Sequence, residues 1–219
     1  MTDRHALITA YWDAAAASFD DEPDHGLRAA RTRAAWARLL RSWMPSEPAD
    51  VLDIGCGTGS LSLLLAEDGH RVTGVDLAPR MVERARAKVA AAGRSGRFLV
   101  GDAMEPPTGQ ERFDAVLCRH LVWTLPDPRA ALRNWVDRLR PGGRLVLIEG
   151  RWREAGRRGV PYVAGAEALP WSGGIGAAEL AAAVGPLVGG GVRVEPLGDE
   201  PELWGGPVAD ERYALIADV

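Results

Sequence analysis

The chain of 219 residues is 47% hydrophobic and 26% charged, with a formal net charge of −4. This composition is typical of a globular protein whose core needs no cross-links. The net negative charge argues against general nucleic-acid binding. Two cysteines, Cys56 and Cys118, give neither a disulfide framework nor metal-ligand spacing. The start lacks a secretory pattern and no apolar run approaches the roughly 18 residues of a membrane span, so we expect a cytoplasmic protein.

Apolar periodicity predicts alternating helices and strands along most of the chain. In chain order these are a helix at 27–43, a strand at 51–54, a helix at 61–68, a strand at 71–75, a helix between Pro79 and Gly93, strands at 97–100 and 113–118, a helix from Asp127 to before Pro141, a strand at 144–149, a helix at 177–184, and strands at 192–197 and 213–218. The segment 151–176 breaks the pattern and is interpreted as a loop or cap. Such alternation predicts an α/β fold with parallel strands and crossover helices.

The first strand leads into a glycine-rich turn. The run VLDIGCGTG occupies residues 51–59, and GVDLAP follows at residues 74–79. Glycines at alternate positions let a ligand approach the backbone at a helix N-terminus. Asp76, 17 residues after Gly59, is placed to accept hydrogen bonds from a ribose.

Two features of the sequence count against a dinucleotide at this turn. The glycines fall as Gly55, Gly57 and Gly59, which departs from the G-x-G-x-x-G spacing of that class. Asp53 would repel a pyrophosphate but suits an amine-bearing ligand. This favours S-adenosylmethionine, with its sulfonium and amino-acid tail, over NAD.

Five stretches together resemble the class I S-adenosylmethionine-dependent methyltransferases, in their small-molecule branch. They are VLDIGCGTG, GVDLAP, GDA at 101–103, FDAVLCRHLVWTLPDP at 113–128 and LRPGGRLVLIEG at 139–150. The resemblance implies a Rossmann-like sheet of seven mostly parallel strands in the order 3-2-1-4-5-7-6, with the last strand antiparallel and helices on both faces. It further implies a single domain made of an N-terminal helical lid (1–45), a cofactor-binding core (46–150), an acceptor-side insert or cap (151–178) and a final helix with two strands (179–219).

The resemblance also implies a set of cofactor contacts. Asp53 would stabilise the methionine ammonium group, Asp76 the ribose hydroxyls and Asp102 the adenine amino group. The complete set is Tyr11, Asp53, Gly55, Cys56, Gly57, Asp76, Leu77, Met81, Asp102, Ala103 and Arg119. Leu77 and Met81, taken singly, fit core positions as well, and Tyr11 and Trp12 equally fit a plain helix face.

Methyl transfer is an in-line displacement that releases a neutral thioether, so positioning supplies most of the rate. A base is needed only for a protonated nucleophile. His120 and His25 are the catalytic candidates, with a hydrogen-bonded loop histidine as the alternative for each. Five aromatic side chains are predicted to contact the substrate: Trp12, Trp123, Trp152, Tyr162 and Trp171. For Trp123, packing under the lid is the alternative.

The acceptor is predicted to be a small molecule methylated at O or N, in secondary metabolism. Methyltransferases that act on the exocyclic amine of adenine resemble one another in an acidic-or-Asn–Pro–Pro–aromatic run after the fourth strand, and residues 118–121 lack it. We expect no nucleic-acid partner and no membrane partner. No His/Asp/Glu cluster at ligand spacing indicates a metal. A non-catalytic S-adenosylmethionine-binding protein and an NAD-dependent oxidoreductase are the alternatives. The oligomeric state is open, a homodimer being one option.

Overall fold

Seven strands form one sheet in a computed structural model that describes residues 4–152 and 163–219. The strands are β1 Asp50–Ile54, β2 Arg71–Asp76, β3 Arg97–Val100, β4 Phe113–Arg119, β5 Leu139–Arg151, β6 Val192–Pro196 and β7 Glu211–Asp218. Their order is β3-β2-β1-β4-β5-β7-β6. β1 to β5 pair in parallel, and β7 runs antiparallel to both β5 and β6. The predicted fold class and strand order are confirmed.

Helices cover both faces of this sheet. They are α1 Arg4–Ala15, α2 Pro23–Gly26, α3 Ala30–Trp43, α4 Ser60–Glu67, α5 Pro79–Ala91, α6 Pro128–Val136, α7 Ala177–Val184 and α8 Pro201–Trp204. Leu27 adopts a left-handed φ of 49° outside any helix, so α3 begins at Ala30 and not at the predicted residue 27. Within the described ranges, no helix combines the length and apolar content of a bilayer crossing.

Alternate residues of the central strands supply the two halves of the core, as the period of two along a strand requires. On one face, Leu52, Val116 and Leu147 pack with the apolar side of α6 and α7. On the other face, residues of the same strands pack against α3 and α4: Val51, Leu117 and Val146. Both halves are filled with buried apolar side chains, and ligands of open α/β sheets bind outside the edge where the parallel strands end.

β5 is longer than the sequence pattern predicts. The sequence predicts that Pro141, Gly142 and Gly143 end the preceding helix, yet α6 already ends at Val136 and the strand runs from Leu139 through these three residues. The register with β4 shifts between Leu139 and Arg144, so the extra residues bulge out of the ladder. Gly142 takes a φ of 77° there and donates its N–H to the carbonyl of Val219 at 2.8 Å. The turn residues therefore shape a bulge and do not end the strand.

Candidate active site

A cavity of about 440 Å³ opens where β1, β2 and β4 end. Ligands of open α/β sheets bind at this carboxyl edge. The cavity brings together many of the residues singled out in the sequence: Trp12, His25, Asp53, Gly55, Cys56, Gly57, Asp76, Met81, Arg119, His120, Trp123 and Trp152. It is also lined by residues that the sequence did not indicate: Phe19, Glu22, Asp24, Thr58, Ser60, Leu61, Leu121 and Arg212.

The glycine turn between β1 and α4 has left-handed backbone at all three alternate glycines, with φ of 70° at Gly55, 52° at Gly57 and 79° at Gly59. Two of the three also have a steric reason to be glycine. A Cβ on Gly59 would lie 2.8 Å from the Cβ of Ala85, and a Cβ on Gly55 would lie 2.9 Å from the side chain of Leu121. Two of these glycines therefore allow close packing, and the turn would be strained by any side chain.

Asp76 holds this turn in place from the end of β2. Its Oδ2 accepts the N–H of Gly57 at 2.9 Å, and its Oδ1 accepts the N–H of Ala78 at 2.9 Å. Burial raises the pKa of the Asp76 carboxyl above its ordinary value, although these amides act in the opposite direction. Each carboxylate oxygen has a second lone pair. The side chain thus shapes the turn and still has acceptor capacity on the cavity side.

Asp53, at the floor of the cavity, is almost completely buried, with 3% of its surface exposed. Its Oδ2 accepts the hydroxyl of Ser62 at 2.5 Å. Burial raises the pKa of Asp53 to about 6; the Ser62 hydrogen bond and the more distant Arg119 lower it, while Asp76 raises it. A cationic group brought into the cavity would favour the ionised form of this carboxyl. This carboxyl is therefore suited to an ammonium ligand.

The segment before α3 is fastened to the glycine turn by the chain's only lysine. Lys88 on α5 forms an ion pair with Asp20 at 2.9 Å and donates to the hydroxyls of Thr58 at 2.9 Å and Ser60 at 2.6 Å. Thr58 in turn donates to Asp20 at 2.5 Å. Burial lowers the pKa of Lys88, and Asp20 opposes that shift. We call this group the lysine latch: Asp20, Thr58, Ser60 and Lys88.

Arg119, at the end of β4, binds the same N-terminal segment from the other side of the cavity. Its Nη2 donates to the carbonyl of Asp24 at 2.6 Å and to its Oδ2 at 3.2 Å. The guanidinium also lies 4.7 Å above the ring of Trp36. Burial lowers the pKa of Arg119, and Asp24 raises it. The carbonyl-to-ammonium role predicted for Arg119 stays a prediction, since this contact concerns its side chain.

His25 lies beside this pair, with its ring stacked on Phe19 at 4.2 Å between centroids. Its Nε2 is 3.9 Å from Asp24 Oδ2, and its Nδ1 is buried with no hydrogen-bond partner in the described parts of the chain. Burial and, secondarily, Arg119 lower the pKa of His25, while Asp24 raises it. The imidazole is therefore held as a neutral group with one ring nitrogen available to a ligand.

His120 follows β4 in a left-handed conformation with a φ of 55°, which is uncommon for a residue with a side chain. Its N–H donates to Ile148 O at 2.9 Å, and its carbonyl accepts the indole N–H of Trp123 at 2.9 Å. The ring packs 4.6 Å from Trp152, and Nε2 is buried without a partner among the residues described. Burial, then Arg119, lowers the pKa of His120 well below its ordinary value.

Glu149 supports the loop after His120. The sequence pattern predicts it only as a strand residue. Its Oε1 accepts the N–H groups of Leu121 at 2.9 Å and Val122 at 3.1 Å. The residue has no exposed surface, and burial raises its pKa to about 8 against the effect of these two amides. A protonated Glu149 thus orders the loop on which Leu121 packs against Gly55.

Arg212, on β7, forms part of the cavity wall opposite the glycine turn. Its Nε and Nη2 donate to the two carboxylate oxygens of Asp210 at 2.7 and 3.0 Å. The guanidinium lies 5.1 Å from the ring of Trp152 and 4.5 Å from that of Trp204. No local pattern in the sequence indicated it, because its aromatic neighbours come from distant parts of the chain.

Several predicted site residues lie outside the cavity lining. Tyr11 is 40% exposed on α1. Asp102 accepts the N–H of Met104 at 2.8 Å and lies 3.7 Å from His5, while the carbonyl of Ala103 accepts the indole of Trp135. Leu77 follows Asp76, Trp171 is buried in the core beside α6 and α7, and Tyr162 lies outside the described residues. Their predicted contacts stay predictions.

Among the described residues, one group of side chains could hold a metal ion. It consists of Asp24, His25 and His120, whose ligand atoms lie within 4.8 Å of one another. Arg119 already donates to the Asp24 carboxylate, and it opposes the protonation of both histidines. The local field is therefore unfavourable to a cation. The prediction that the protein uses no metal stays a prediction.

Comparisons with known proteins agree with the class predicted from the sequence. A model of a family described as "Methyltransferase domain" matches residues 51–143. The chain is 37% identical over 145 residues to a ubiquinone biosynthesis O-methyltransferase of Xanthomonas axonopodis pv. citri (strain 306). That alignment covers 65% of this chain and 56% of the relative, so the chain spans little more than half of the relative's length.

Two solved structures share the fold over nearly the whole chain. The N-methyltransferase NodS of Bradyrhizobium japonicum WM9, in complex with S-adenosyl-l-homocysteine, has a TM-score of 0.67 at 20% identity and covers 95% of this chain and 98% of its own. A putative methyltransferase in complex with the Haloferax volcanii Trm112 activator has a TM-score of 0.69 at 21% identity, with 96% coverage of both chains. The predicted resemblance is confirmed over residues 51–143 by the family match, and the two solved structures confirm the predicted fold.

Proposed function

We propose that this chain, whose residues 51–143 form an S-adenosylmethionine-dependent methyltransferase domain, transfers the cofactor's methyl group to a small-molecule acceptor. The observation that carries the proposal is the cavity at the carboxyl edge, where Asp53 and Asp76 lie at the glycine turn. The relatives named as O-methyltransferases support oxygen as the methylated atom, with nitrogen as the alternative. We further propose a secondary metabolite as the acceptor.

The residues present fit S-adenosylmethionine, which supplies an electrophilic methyl group on a sulfonium. Asp76 keeps acceptor capacity for ribose hydroxyls beyond its two amide contacts. The Asp53 carboxyl lies buried below the turn and suits the ammonium end. Two acids at the turn would repel a pyrophosphate, which counts against the oxidoreductase alternative.

The acceptor side is formed by His25, His120 and aromatic rings. Both histidines are neutral at ordinary pH, because burial and Arg119 lower their pKa values. We assign His120 the role of accepting a proton from the acceptor hydroxyl at Nε2, which has no partner among the described residues. Its low basicity limits this contribution, so positioning within the closed cavity carries most of the rate.

The ribose assignment of Asp76 is tested with a ligand-side deletion. In the wild type, S-adenosylhomocysteine should bind about tenfold to 150-fold more tightly than its 2′,3′-dideoxyribose analogue, since a hydrogen bond to a charged group is worth about 1.5–3 kcal/mol. In Asp76→Asn this preference should shrink sharply. Calorimetry measures both ligands on both proteins.

This design separates ribose binding from the support that Asp76 gives to Gly57. A damaged turn weakens both ligands by the same factor, whereas a lost ribose contact weakens only the natural one. An equal preference in wild type and variant would contradict the assignment. Absence of any S-adenosylhomocysteine binding to the wild type would contradict the proposed function itself.

A further inference from the structure

The cavity divides its charges between two ends. The acids Asp53 and Asp76 lie at the glycine turn, and the guanidiniums of Arg119 and Arg212 lie on the other side around His120. Asp24 is bound by Arg119 and Asp210 by Arg212, Asp53 and Glu149 attract Arg119 without a hydrogen bond to it, and Glu22 is a further acid in the cavity lining. The cationic cofactor thus has its complement at one end, and the other end requires a different partner.

Arg212 is prepared for a second planar acceptor. Asp210 uses the edge formed by Nε and Nη2, which leaves the Nη1 edge of the guanidinium with no hydrogen bond among the described residues. A guanidinium matches carboxylates bidentately, and stacking on Trp152 and Trp204 keeps its plane fixed. The side chain is 17% exposed, although Arg212 lines the cavity. Its remaining donors are therefore placed to meet a ligand in the cavity.

A second donor lies beside it. The indole Nε1 of Trp152 is buried without a hydrogen-bond partner in the described ranges, and Trp152 also lines the cavity. An indole N–H can only donate, and a buried donor without a partner is unfavourable. Guanidinium and indole together present N–H groups with no acceptor among the described residues. The missing complement is a group rich in acceptor oxygens.

We infer that the methyl acceptor carries a carboxylate, bound by Arg212 and Trp152 on the side of the cavity away from the glycine turn. The inference rests on the proposed function, because it names a feature of that reaction's acceptor. Arg212 is then a specificity-determining residue, and the carboxylate is a handle that places the nucleophile beside His120.

Benzoate and benzamide serve as probes, since they share shape and differ in charge. Each is titrated by calorimetry into protein saturated with S-adenosylhomocysteine. The wild type should bind benzoate at least about tenfold more tightly than benzamide. Arg212→Gln should abolish that preference, Arg212→Lys should keep part of it, and Trp152→Phe should reduce it while keeping the ring.

The matched control is Arg97→Gln. Arg97 lies on β3, outside this cavity, and forms an ion pair with Glu111. It should leave the benzoate preference unchanged. Equal binding of benzoate and benzamide by the wild type would overturn the inference, as would a loss of both ligands alike in folded Arg212→Lys. Saturation with S-adenosylhomocysteine is measured first, so failure of the proposed function would appear as absent cofactor-product binding before any probe is added.

Discussion

Glu149 gives a stability prediction with a defined sign, because it is an acid that the fold keeps protonated. It lies near the end of β5 with no exposed surface. Oε1 accepts two backbone N–H groups, and Oε2 is buried without a partner in the described parts of the chain. Burial raises its pKa from 4.5 to about 8. Replacement by glutamine keeps the shape and the accepting oxygen but removes the titration.

The size of the expected stability effect follows from the shift in the pKa of Glu149. Each pKa unit corresponds to about 1.4 kcal/mol, so a change from 4.5 to about 8 is worth about 5 kcal/mol. The folded state binds the proton more tightly than the unfolded state does. The contribution of Glu149 is therefore fully present below pH 4.5 and is lost as pH rises through about 8.

Urea unfolding at intervals from pH 5 to pH 9 measures this effect. Wild type and Glu149→Gln should be similar near pH 5, and the variant should become the more stable protein by several kcal/mol at pH 9. Glu47→Gln, the same change at an exposed side chain, should follow the wild type throughout. Parallel curves for Glu149→Gln and wild type would refute the reasoning, because the carboxyl would then ionise alike in both states.

Three further predictions concern the glycine turn, the lysine latch and His120. Gly59→Ala should lower the unfolding free energy more than Gly93→Ala, since both glycines have positive φ but only the first has a neighbour within 4 Å of its added Cβ; equal losses in urea would contradict a packing role. Lys88→Met should speed hydrogen exchange in residues 4–26 by releasing the lysine latch, while Arg84→Met on the exposed side of the same helix should not; unchanged exchange would show that the latch does not hold the segment. If neutral His120 accepts the proton, kcat/KM should stay level down to pH 6.5 and fall only below it, because burial lowers its pKa; a decline centred above pH 6.5 would exclude that role.

The sheet could be predicted because its determinants are local. Strand positions follow from short apolar runs, and their order follows from the resemblance of motifs that lie on those strands. Exceptions arose where a distant contact overrides a local signal. Gly142 belongs to a bulge because its N–H reaches Val219, which no pattern around residue 142 indicates. Leu27 leaves the helical path, since its left-handed φ ends the preceding turn and its side chain is buried.

The site could be predicted on its cofactor side and much less on its acceptor side. The residues of the glycine turn and Asp76 are close in sequence, so spacing alone brings them together. Arg212 lies on β7 and Trp152 directly follows β5, and Lys88 meets Asp20 across 68 positions. A signal did exist for Glu149: a single acid that closes a buried apolar strand, as Asp76 does on β2.

These two acids indicate how the halves of the site depend on each other. Asp76 fixes Gly57 through a backbone amide, and Glu149 fixes Leu121 in the same way. Leu121 in turn occupies the space that a side chain on Gly55 would need. The glycine turn and the acceptor-side loop are therefore in direct contact. Each is ordered by a buried carboxyl on the neighbouring strand: Asp76 on β2 for the turn after β1, and Glu149 on β5 for the loop after β4. A change at Glu149 should then alter cofactor binding as well as the acceptor side, because the loop it orders forms part of the wall against which the glycine turn packs.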